Sequence, residues 1–408
     1  MARTTPTASV PRTGSALVTG DVPRNKLLQG DVLEQLRTLP DKCIHMCVTS
    51  PPYWALRDYG IEGQLGLEKT PEEYINKMVE IFHEVKRVLR DDGTLWLNIG
   101  DSYFASSTGN TSSKSTLQGG LKNQIESGKR PSKQQTVNCK PKDLVGIPWM
   151  LAFALRADGW YLRSDIIWHK PNPMPESVTD RPTKAHEYIF LLTKSKHYFY
   201  DAEAIKEPSI DGTSRKDENP LERKRFPTST VNGVRDRNKV FPMANKRTVW
   251  SITTQPFPEA HFATFPEELP FICIKAGTSE HGCCAQCSAP YERVLEKAGT
   301  VRFKNGHQNK AKVIIEQQRG LTSLNTSMHT TNSMPVYATT GWQPTCTCET
   351  RNSQLANPLV LDPFSGAGTT AVVAKGLGRD YLGIELNPAY ITIADNRLRK
   401  EFGFFHSH

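Results

Sequence analysis

Residues 359–370 have the sequence LVLDPFSGAGTT, and this stretch decides the fold. An apolar run ends at Asp362, a turn containing Gly366 and Gly368 follows, and residues 371–376 can continue as a helix. Glycines let a ligand approach the backbone closely, and the N-terminus of a helix presents free amides to it. The pattern predicts one half of a Rossmann-like α/β sheet that binds a nucleoside.

A second predicted strand follows at a suitable distance. Residues 381–385 have the sequence YLGIE and end in an acid, at the place where such folds hold a ribose. The chain lacks a Gly-x-x-x-x-Gly-Lys-Ser/Thr motif, which disfavours nucleotide hydrolysis. Asp362 and Phe364 suit a ligand with an ammonium group and an adenine better than a pyrophosphate. The predicted ligand contacts here are Asp362, Phe364, Gly366, Gly368, Thr369, Thr370 and Glu385.

A proline-rich segment, 50–53, follows another predicted buried strand at 44–49. Doubly wound folds bind ligands at this end of a strand. The two prolines fix the backbone and remove two amide donors, so the carbonyls of Ser50 and Pro51 can face a bound amine. A neighbouring ring can stack on a nucleobase, with Tyr53 the first candidate and Trp54 the second. The predicted catalytic residues are Ser50, Pro51, Pro52 and Tyr53. Taken alone, the segment fits an ordinary strand-to-turn connection better, and the glycine-rich loop in the same chain reverses that preference.

The chain between these motifs predicts further layers of the same fold. Apolar residues at helical spacing indicate a helix over 71–89, which Asp91-Asp92-Gly93 would end before a strand at 94–99. A helix is predicted over 144–157, with Pro148 irregular near its start, and strands at 160–168 and 188–192 would extend the sheet.

The chain is basic, with 51 Lys and Arg against 42 Asp and Glu and a formal net charge of +9. Clustered basic residues release counterions from a phosphate backbone, which favours a nucleic-acid partner. Residues 223–247 carry eight Lys or Arg, with Asp236 as the single acid. The predicted DNA contacts are Arg223, Lys224, Arg225, Arg235, Arg237, Lys239, Lys246 and Arg247. A solvated basic loop is the alternative.

Targeting signals are not apparent. No uninterrupted apolar stretch approaches the ~20 residues of a membrane-spanning helix, and residues 1–23 lack the apolar core of a signal peptide. We therefore expect a cytoplasmic protein without a membrane partner.

Five of the nine cysteines are clustered at 283–287 and 346–348, which indicates a metal site rather than a disulfide framework, whereas Cys43, Cys47, Cys139 and Cys273 are isolated. Cys284-x-x-Cys287 and Cys346-x-Cys348 can supply four thiolates to one tetrahedral zinc ion. The predicted ligands are Cys284, Cys287, Cys346 and Cys348, with Cys283 able to replace Cys284. Cysteines without metal are the alternative.

These segments resemble the amino-methylating DNA methyltransferases of the permuted beta group, in which the catalytic motif precedes the cofactor motif. Here the sequence TSPPY at 49–53 precedes the glycine-rich loop at 362–370, and the resemblance covers roughly residues 27–398. It implies a seven-stranded, mostly parallel sheet with helices on both faces. It also implies S-adenosylmethionine as cofactor, with Asp31 at its adenine and the sequence FPEEL at 265–269 beside its methionine end.

The resemblance implies the reaction as well. The exocyclic amine of a base is a poor nucleophile, because its lone pair is delocalised into the ring. Acceptors at Ser50 and Pro51 would favour the tetrahedral nitrogen that attacks a sulfonium methyl, on a base rotated out of duplex DNA. Enzymes with Ser before Pro-Pro-Tyr are similar to N4-cytosine methyltransferases, whereas Asp there marks N6-adenine enzymes. We favour cytosine and leave adenine open.

The resemblance finally implies partners and an order of domains. The partners are duplex DNA and, in a bacterium or a phage-infected cell, a cognate restriction endonuclease. The predicted order is a disordered arm at 1–25, the catalytic half at 26–200 with a mobile insertion at 105–140, a basic target-recognition region at 201–250, a cofactor-flanking helix at 251–275, a zinc-ribbon-like insertion at 276–352 and the cofactor-binding half at 353–408.

Two rival functions remain. An RNA methyltransferase would use the same chemistry, and a non-catalytic nucleic-acid-binding module would use only the basic and cysteine-rich segments. The presence of both motifs disfavours the second rival. His186 is a possible general base, but direct attack on a sulfonium needs little base assistance, so a structural role is favoured.

Overall fold

The computed structural model describes residues 22–56, 58, 60–104, 139–208, 243–255, 265–302, 333–349 and 354–403. The predicted arm at 1–25 and insertion at 105–140 lie almost entirely outside these residues, as do the predicted DNA contacts between Arg223 and Lys239. The chain forms two compact units. The first comprises Met1–Asp201, Arg247–Pro290 and Pro344–His408, and the second comprises Ala202–Lys246 and Tyr291–Gln343.

The helices of the first unit are α1 (Val32–Thr38), α2 (Pro71–Val88), α3 (Ile147–Ala157), α4 (Glu268–Gly277), α5 (Thr369–Gly376) and α6 (Pro388–Phe402). The strands of the whole chain are β1 (Lys26–Gln29), β2 (Ile44–Thr49), β3 (Leu89–Ile99), β4 (Tyr161–His169), β5 (His186–Thr193), β6 (Glu207–Pro208), β7 (Met243–Ala244), β8 (Val249–Ser251), β9 (Cys283–Cys284), β10 (Tyr291–Arg302), β11 (Ser333–Pro344), β12 (Leu355–Ala356), β13 (Leu359–Asp362) and β14 (Asp380–Glu385).

One large sheet organises the first unit. Its described strands have the order β1-β14-β13-β2-β3-β5-β4-β8. The run from β1 to β3 is parallel, β5 is antiparallel to both β3 and β4, and β8 is parallel to β4. The predicted Rossmann-like α/β fold is therefore confirmed. Within the described residues the sheet has eight strands rather than the seven that the resemblance implied, and no strand was predicted at the position of the short edge strand β8.

Helix α2 shows why the predicted elements form. Thr70 caps its N-terminus by accepting a hydrogen bond from the Glu73 amide at 3.1 Å, and Pro71 fits the first turn, where no amide donor is needed. The apolar positions of its predicted stripe are buried, namely Tyr74, Ile75, Met78, Ile81, Phe82, Val85 and Val88. Within the described residues, no helix has both the length and the apolar character needed to cross a membrane.

The predicted stop at Asp91-Asp92-Gly93 is wrong. Helix α2 ends at Val88, and β3 begins at once with Leu89 and runs through the acidic residues. Arg90 and Asp92 neutralise each other as a buried pair, with Nε and Oδ1 2.9 Å apart. Two charged residues can therefore continue a strand that their composition would interrupt.

The second unit is smaller. Its described residues contain a 3₁₀ turn at Glu203–Ile205, the antiparallel pair β6 and β7, and the hydrogen-bonded strands β10 and β11. The Arg293 guanidinium lies over the Trp342 ring, 4.4 Å from its centroid.

Candidate active site

The two predicted motifs meet at one edge of the sheet. Strands β2 and β13 are parallel neighbours, with Val360 opposite Met46, so their carboxyl ends point the same way. The Thr49 hydroxyl at the end of β2 donates a 2.6 Å hydrogen bond to Oδ1 of Asp362 at the end of β13. A cavity of about 430 Å³ opens over this junction and is lined from both sides. Segments that are far apart in the chain thus form one site.

Asp362 accepts three hydrogen bonds at this junction. It is 2% exposed, and its other oxygen accepts a 2.7 Å hydrogen bond from the Thr370 hydroxyl. Oδ1 also accepts from the Phe364 amide at 3.1 Å. Burial raises the pKa of Asp362, although these three hydrogen bonds oppose the rise. The carboxylate ties the end of β2, the loop and helix α5 together.

The predicted cofactor residues separate into two groups. Asp31, Phe364, Gly366, Thr369 and Glu385 line the cavity. The other predicted contacts, Asp362, Gly368 and Thr370, lie beneath the loop and support it, and they are not among the cavity-lining residues.

Glu385 presents a preorganised carboxylate at the cavity. Its two oxygens accept 2.8 Å hydrogen bonds from the amides of Gly366 and Asn387. A carboxylate has about four acceptor directions, so both oxygens can accept further bonds from a ligand. Burial raises the pKa of Glu385, opposed by these backbone donors. Asp31, which also lines the cavity, caps helix α1 by accepting from the Leu33 amide at 2.9 Å.

The glycine-rich loop is shaped by a close approach. Gly368 has φ 75°, and a Cβ there would lie 2.6 Å from the Cβ of Ala394. The Arg397 guanidinium braces the loop from α6 by donating to the Ala367 carbonyl at 2.7 Å. Gly368 therefore serves the packing of α5 against α6 rather than contact with a ligand.

The proline-rich segment forms the second wall. The Tyr74 hydroxyl donates to the Pro52 carbonyl at 2.9 Å, so one of the two acceptor directions of this carbonyl is already used. Ser50, Pro51 and Tyr53 line the cavity together with Pro52. The Ser50 hydroxyl lies 3.4 Å from the Tyr53 hydroxyl.

Trp54 does not belong to the site. Its side chain is 1% exposed, and its indole N–H donates to the Glu68 carbonyl at 3.0 Å. The second candidate for base stacking is therefore wrong, because the turn directs this ring into the core.

Three polar residues of the cavity were missed in the sequence. The Tyr53 hydroxyl donates to Oε2 of Glu187 at 2.6 Å, and the Asn98 amide donates to the same oxygen at 3.2 Å. Lys170 forms an ion pair with Oε1 of Glu187. Burial and the Glu187 carboxylate raise the pKa of Tyr53, which keeps its hydroxyl protonated as a donor. All three missed residues stand at or beside strand ends, the one signal that could have identified them.

Comparison with known proteins identifies the family. A sequence model described as DNA methylase matches residues 44–285 and 347–396, which is more than half of the chain. The chain belongs to the DNA methylase family. It is 40% identical to the type II methyltransferase M.Cfr9I of Citrobacter freundii over 92% of its own length and 88% of that protein.

Other relatives of this methylase are similar over most of their length. It is 39% identical to the type II methyltransferase M.XycI of Xanthomonas campestris pv. cyanopsidis, covering 91% of this chain and 87% of that one. The solved structure of the PvuII cytosine-N4-specific DNA methyltransferase aligns with a TM-score of 0.48 at 15% identity, covering 91% of this chain and 85% of that chain. The predicted family is confirmed by the family match and by the two type II methyltransferases, M.Cfr9I and M.XycI.

The remaining described residues of the prediction are not among those that line the cavity. The sulfur atoms of Cys284, Cys287, Cys346 and Cys348 all lie within 4.8 Å of one another. Lys246 approaches Glu207 within the second unit at 3.5 Å, and Arg247 is exposed. The His186 ring packs edge-on against Tyr188 and is not among the cavity-lining residues. Its position agrees with the structural role favoured from the sequence.

Proposed function

We propose that this methylase transfers a methyl group from S-adenosylmethionine to the N4 amine of cytosine in duplex DNA. The observation that carries the proposal is the hydrogen bond between Thr49 and Asp362, which joins the proline-rich segment to the glycine-rich loop over one cavity. Family membership supports the reaction class.

The residues of the loop wall fit the cofactor. The cavity volume, about 430 Å³, is in the range of small-molecule sites. Glu385 would accept the ribose hydroxyls, Asp31 would face the adenine, and Phe265 lies in the same wall. The Ser365 hydroxyl is buried without a hydrogen-bond partner among the described residues, which suits a wall completed by a polar ligand. We assign Asp362 to holding the loop rather than to contact with the cofactor.

The proline-rich wall would orient the target amine. When bound, S-adenosylmethionine supplies an electrophilic methyl group. The Ser50 hydroxyl and the Pro51 carbonyl would accept the two N–H bonds of the amine, which directs its lone pair away from the ring. Tyr74 already donates to the Pro52 carbonyl, so Pro51 is the carbonyl that we assign to this role. The nitrogen would bond to the methyl carbon as the carbon–sulfur bond breaks, and S-adenosylhomocysteine would leave as a neutral thioether. The nitrogen would then lose one proton to solvent, so that the base stays neutral.

The target base would rest against Tyr53. Its ring is fixed at the hydroxyl end by Glu187, and it packs so closely on Gly100 that a Cβ there would lie 2.6 Å from Tyr53 Cε2. A ring held in this way can stack on a flipped base at low entropic cost. Glu187, with its partners Asn98 and Lys170, acts as the positioning residue.

The choice of cytosine depends on Ser50. Ser before the two prolines resembles the motif of the N4-cytosine enzymes of this family, and N6 of adenine is the alternative. The basic segment 223–247 is proposed to contact duplex DNA, and a cognate restriction endonuclease stays a prediction. A degenerate binding module is disfavoured by the ordered hydrogen bonds around Asp362 and Glu385.

Methylation of defined duplex DNA, followed by digestion to nucleosides and mass spectrometry, tests the proposal. N4-methylcytosine is the expected product, and N6-methyladenine would establish the alternative. Ser50→Ala should reduce the single-turnover rate about tenfold or more, because one acceptor of the amine is lost. Ser195→Ala, which removes a half-buried hydroxyl that does not line the cavity, is the matched control. An unchanged rate in Ser50→Ala would refute the role of that residue.

A further inference from the structure

The cysteine cluster lies in the first unit, at the end of the sheet opposite the cavity. Cys284 and Cys287 belong to one short segment, and Cys346 and Cys348 belong to another that follows the second unit in the chain. Their four sulfur atoms lie within 4.8 Å of one another, and three of the four residues are buried. A zinc ion bonded to sulfur at about 2.3 Å in a tetrahedron places its ligands about 3.8 Å apart. Small side-chain adjustments therefore suffice to close the cluster on one ion.

We propose that Cys284, Cys287, Cys346 and Cys348 bind one zinc ion through four thiolates, and that this ion fixes the cysteine segments to the amino ends of β2, β3 and β13. Four thiolates leave no open coordination position, so the role is structural and is independent of the proposed methyl transfer.

The first cysteine segment is built as a metal-binding turn. The Ser288 amide donates to the Cys284 carbonyl at 2.8 Å, and the Cys284 amide donates to the Ala289 carbonyl at 2.9 Å. Ser288 adopts φ 57°, a left-handed conformation that is uncommon for a residue with a side chain. This geometry folds the chain back so that Cys284 and Cys287 face the same point.

Zinc binds the thiolate form of cysteine, so the proposed site requires all four thiols to release their protons when the metal binds.

Two buried side chains connect this turn to the sheet. Arg90, at the start of β3, donates from Nη1 to the Cys287 carbonyl at 2.9 Å. His45, at the start of β2, lies with Nε2 3.0 Å from the Ser288 carbonyl, and its Nδ1 accepts from the Leu359 amide at 3.0 Å. The Leu359 amide can only donate, so His45 carries its proton on Nε2 and donates to the turn. The turn is therefore hydrogen-bonded directly to β3 and β2, and His45 links it to β13.

The second cysteine segment is attached beside the first. The Thr345 hydroxyl donates to the Pro290 carbonyl at 2.7 Å, and β9 pairs with β12 just before the cofactor strand β13. The chain leaves the first unit after Pro290 and returns at Pro344. A metal at this point holds the departing and returning segments together, and it offsets the entropy of closing the long connection between them.

The metal content of the full chain, purified without chelators, tests the proposal by inductively coupled plasma mass spectrometry. About one zinc ion per chain is expected. Cys287→Ser and Cys348→Ser should each lose most of the zinc, whereas Cys139→Ser, a change at a cysteine outside the cluster, should keep it. Zinc below a tenth of an equivalent in the unchanged chain, or zinc retained in both cluster variants, would overturn the proposal.

A second measurement covers variants that do not fold. The folded, unchanged chain is treated with a strong chelator and then given Co²⁺, whose absorption reports its ligands. Intense visible bands of tetrahedral cobalt with sulfur-to-cobalt charge transfer are expected, together with a thermal midpoint that falls on chelation and recovers on readdition of zinc. Octahedral cobalt spectra, or disulfide bonds among these four cysteines in the protein as purified, would contradict the site.

Discussion

Polar residues have different partners at the two edges of the central sheet. At the carboxyl edge, Glu385 and Tyr53 are held by neighbours yet still face a cavity. At the amino edge, Arg90 and His45 are buried and direct their donors at backbone carbonyls. At the carboxyl edge, polar side chains can therefore still bond to a ligand. At the amino edge, their hydrogen bonds stabilise the fold itself. Substitutions at the two edges should therefore separate activity from stability.

The largest effect on activity is expected at Asp362. Asp362→Ala removes three buried hydrogen bonds and releases the cofactor loop from the proline-rich segment, so the methylation rate should fall about a hundredfold or more. Single-turnover kinetics with tritiated cofactor measure this methylation rate. The matched control is Asp380→Ala at the amino end of β14, which breaks an ion pair with Arg24 and should lower the thermal midpoint while activity per folded molecule persists. Equal losses of methylation rate in the two variants would contradict the claim that only the carboxyl edge governs activity.

A smaller effect on activity is expected at Glu187. Glu187→Ala removes the acceptor that holds the Tyr53 hydroxyl, and the methylation rate should fall about tenfold because a hydrogen bond to a charged group is lost. Cofactor affinity, measured by calorimetry, should not change, since Glu187 stands on the other wall. Glu187→Gln keeps an acceptor oxygen and should recover most of the rate. A Gln variant as slow as the Ala variant would show that the charge, rather than the position of Tyr53, matters.

At the amino edge, the same kind of change should affect stability alone. Arg90→Met leaves Asp92 buried without its partner and removes the bond to the Cys287 carbonyl, which should cost about 3 kcal/mol of unfolding free energy. Denaturant titration gives this value. The double variant Arg90→Met with Asp92→Leu should recover part of the loss, because no unpaired charge remains buried. A drop in the methylation rate of folded Arg90→Met would contradict the separation.

The smallest effect concerns pH. Burial lowers the pKa of His45 from 6.5 to about 3, with the Arg90 charge acting in the same direction. The folded chain binds fewer protons at this residue than the unfolded chain, so stability is complete above pH 6.5 and is lost as the pH falls toward 3. The loss is at most about 1.4 kcal/mol per pH unit. Thermal midpoints between pH 7.5 and 5 should fall more steeply in the unchanged chain than in His45→Asn, and parallel curves would refute the role of His45.

The parts of the site that lie on contiguous motifs could be predicted from the sequence. Local residue types are enough to predict the strand before Asp362, the acid Glu385 and the turn at Pro51 and Pro52. All three lie where the motifs placed them. The four clustered cysteines were identified for the same reason, since two short segments carried all of them.

The rest depends on the order of strands in space. Glu187 reaches the cavity because β5 is antiparallel to β3, so the first residues of β5 lie beside the last residues of β3. Lys170 reaches it because β4 runs back beside β5. Neither relation is encoded in a local pattern. Similarly, Asp92 could continue a strand only because Arg90 is buried beside it, a pairing that the composition of the segment conceals.

The hydrogen bond between Thr345 and Pro290 makes the base of the second unit a natural grafting point. Residues 291–343 leave and rejoin the first unit at two segments that are held to each other. The length and content of this excursion can therefore vary while both catalytic motifs keep their positions. Natural or engineered replacement of this excursion by another hairpin could therefore change which molecules the enzyme contacts. The residues that carry out the reaction would stay unchanged.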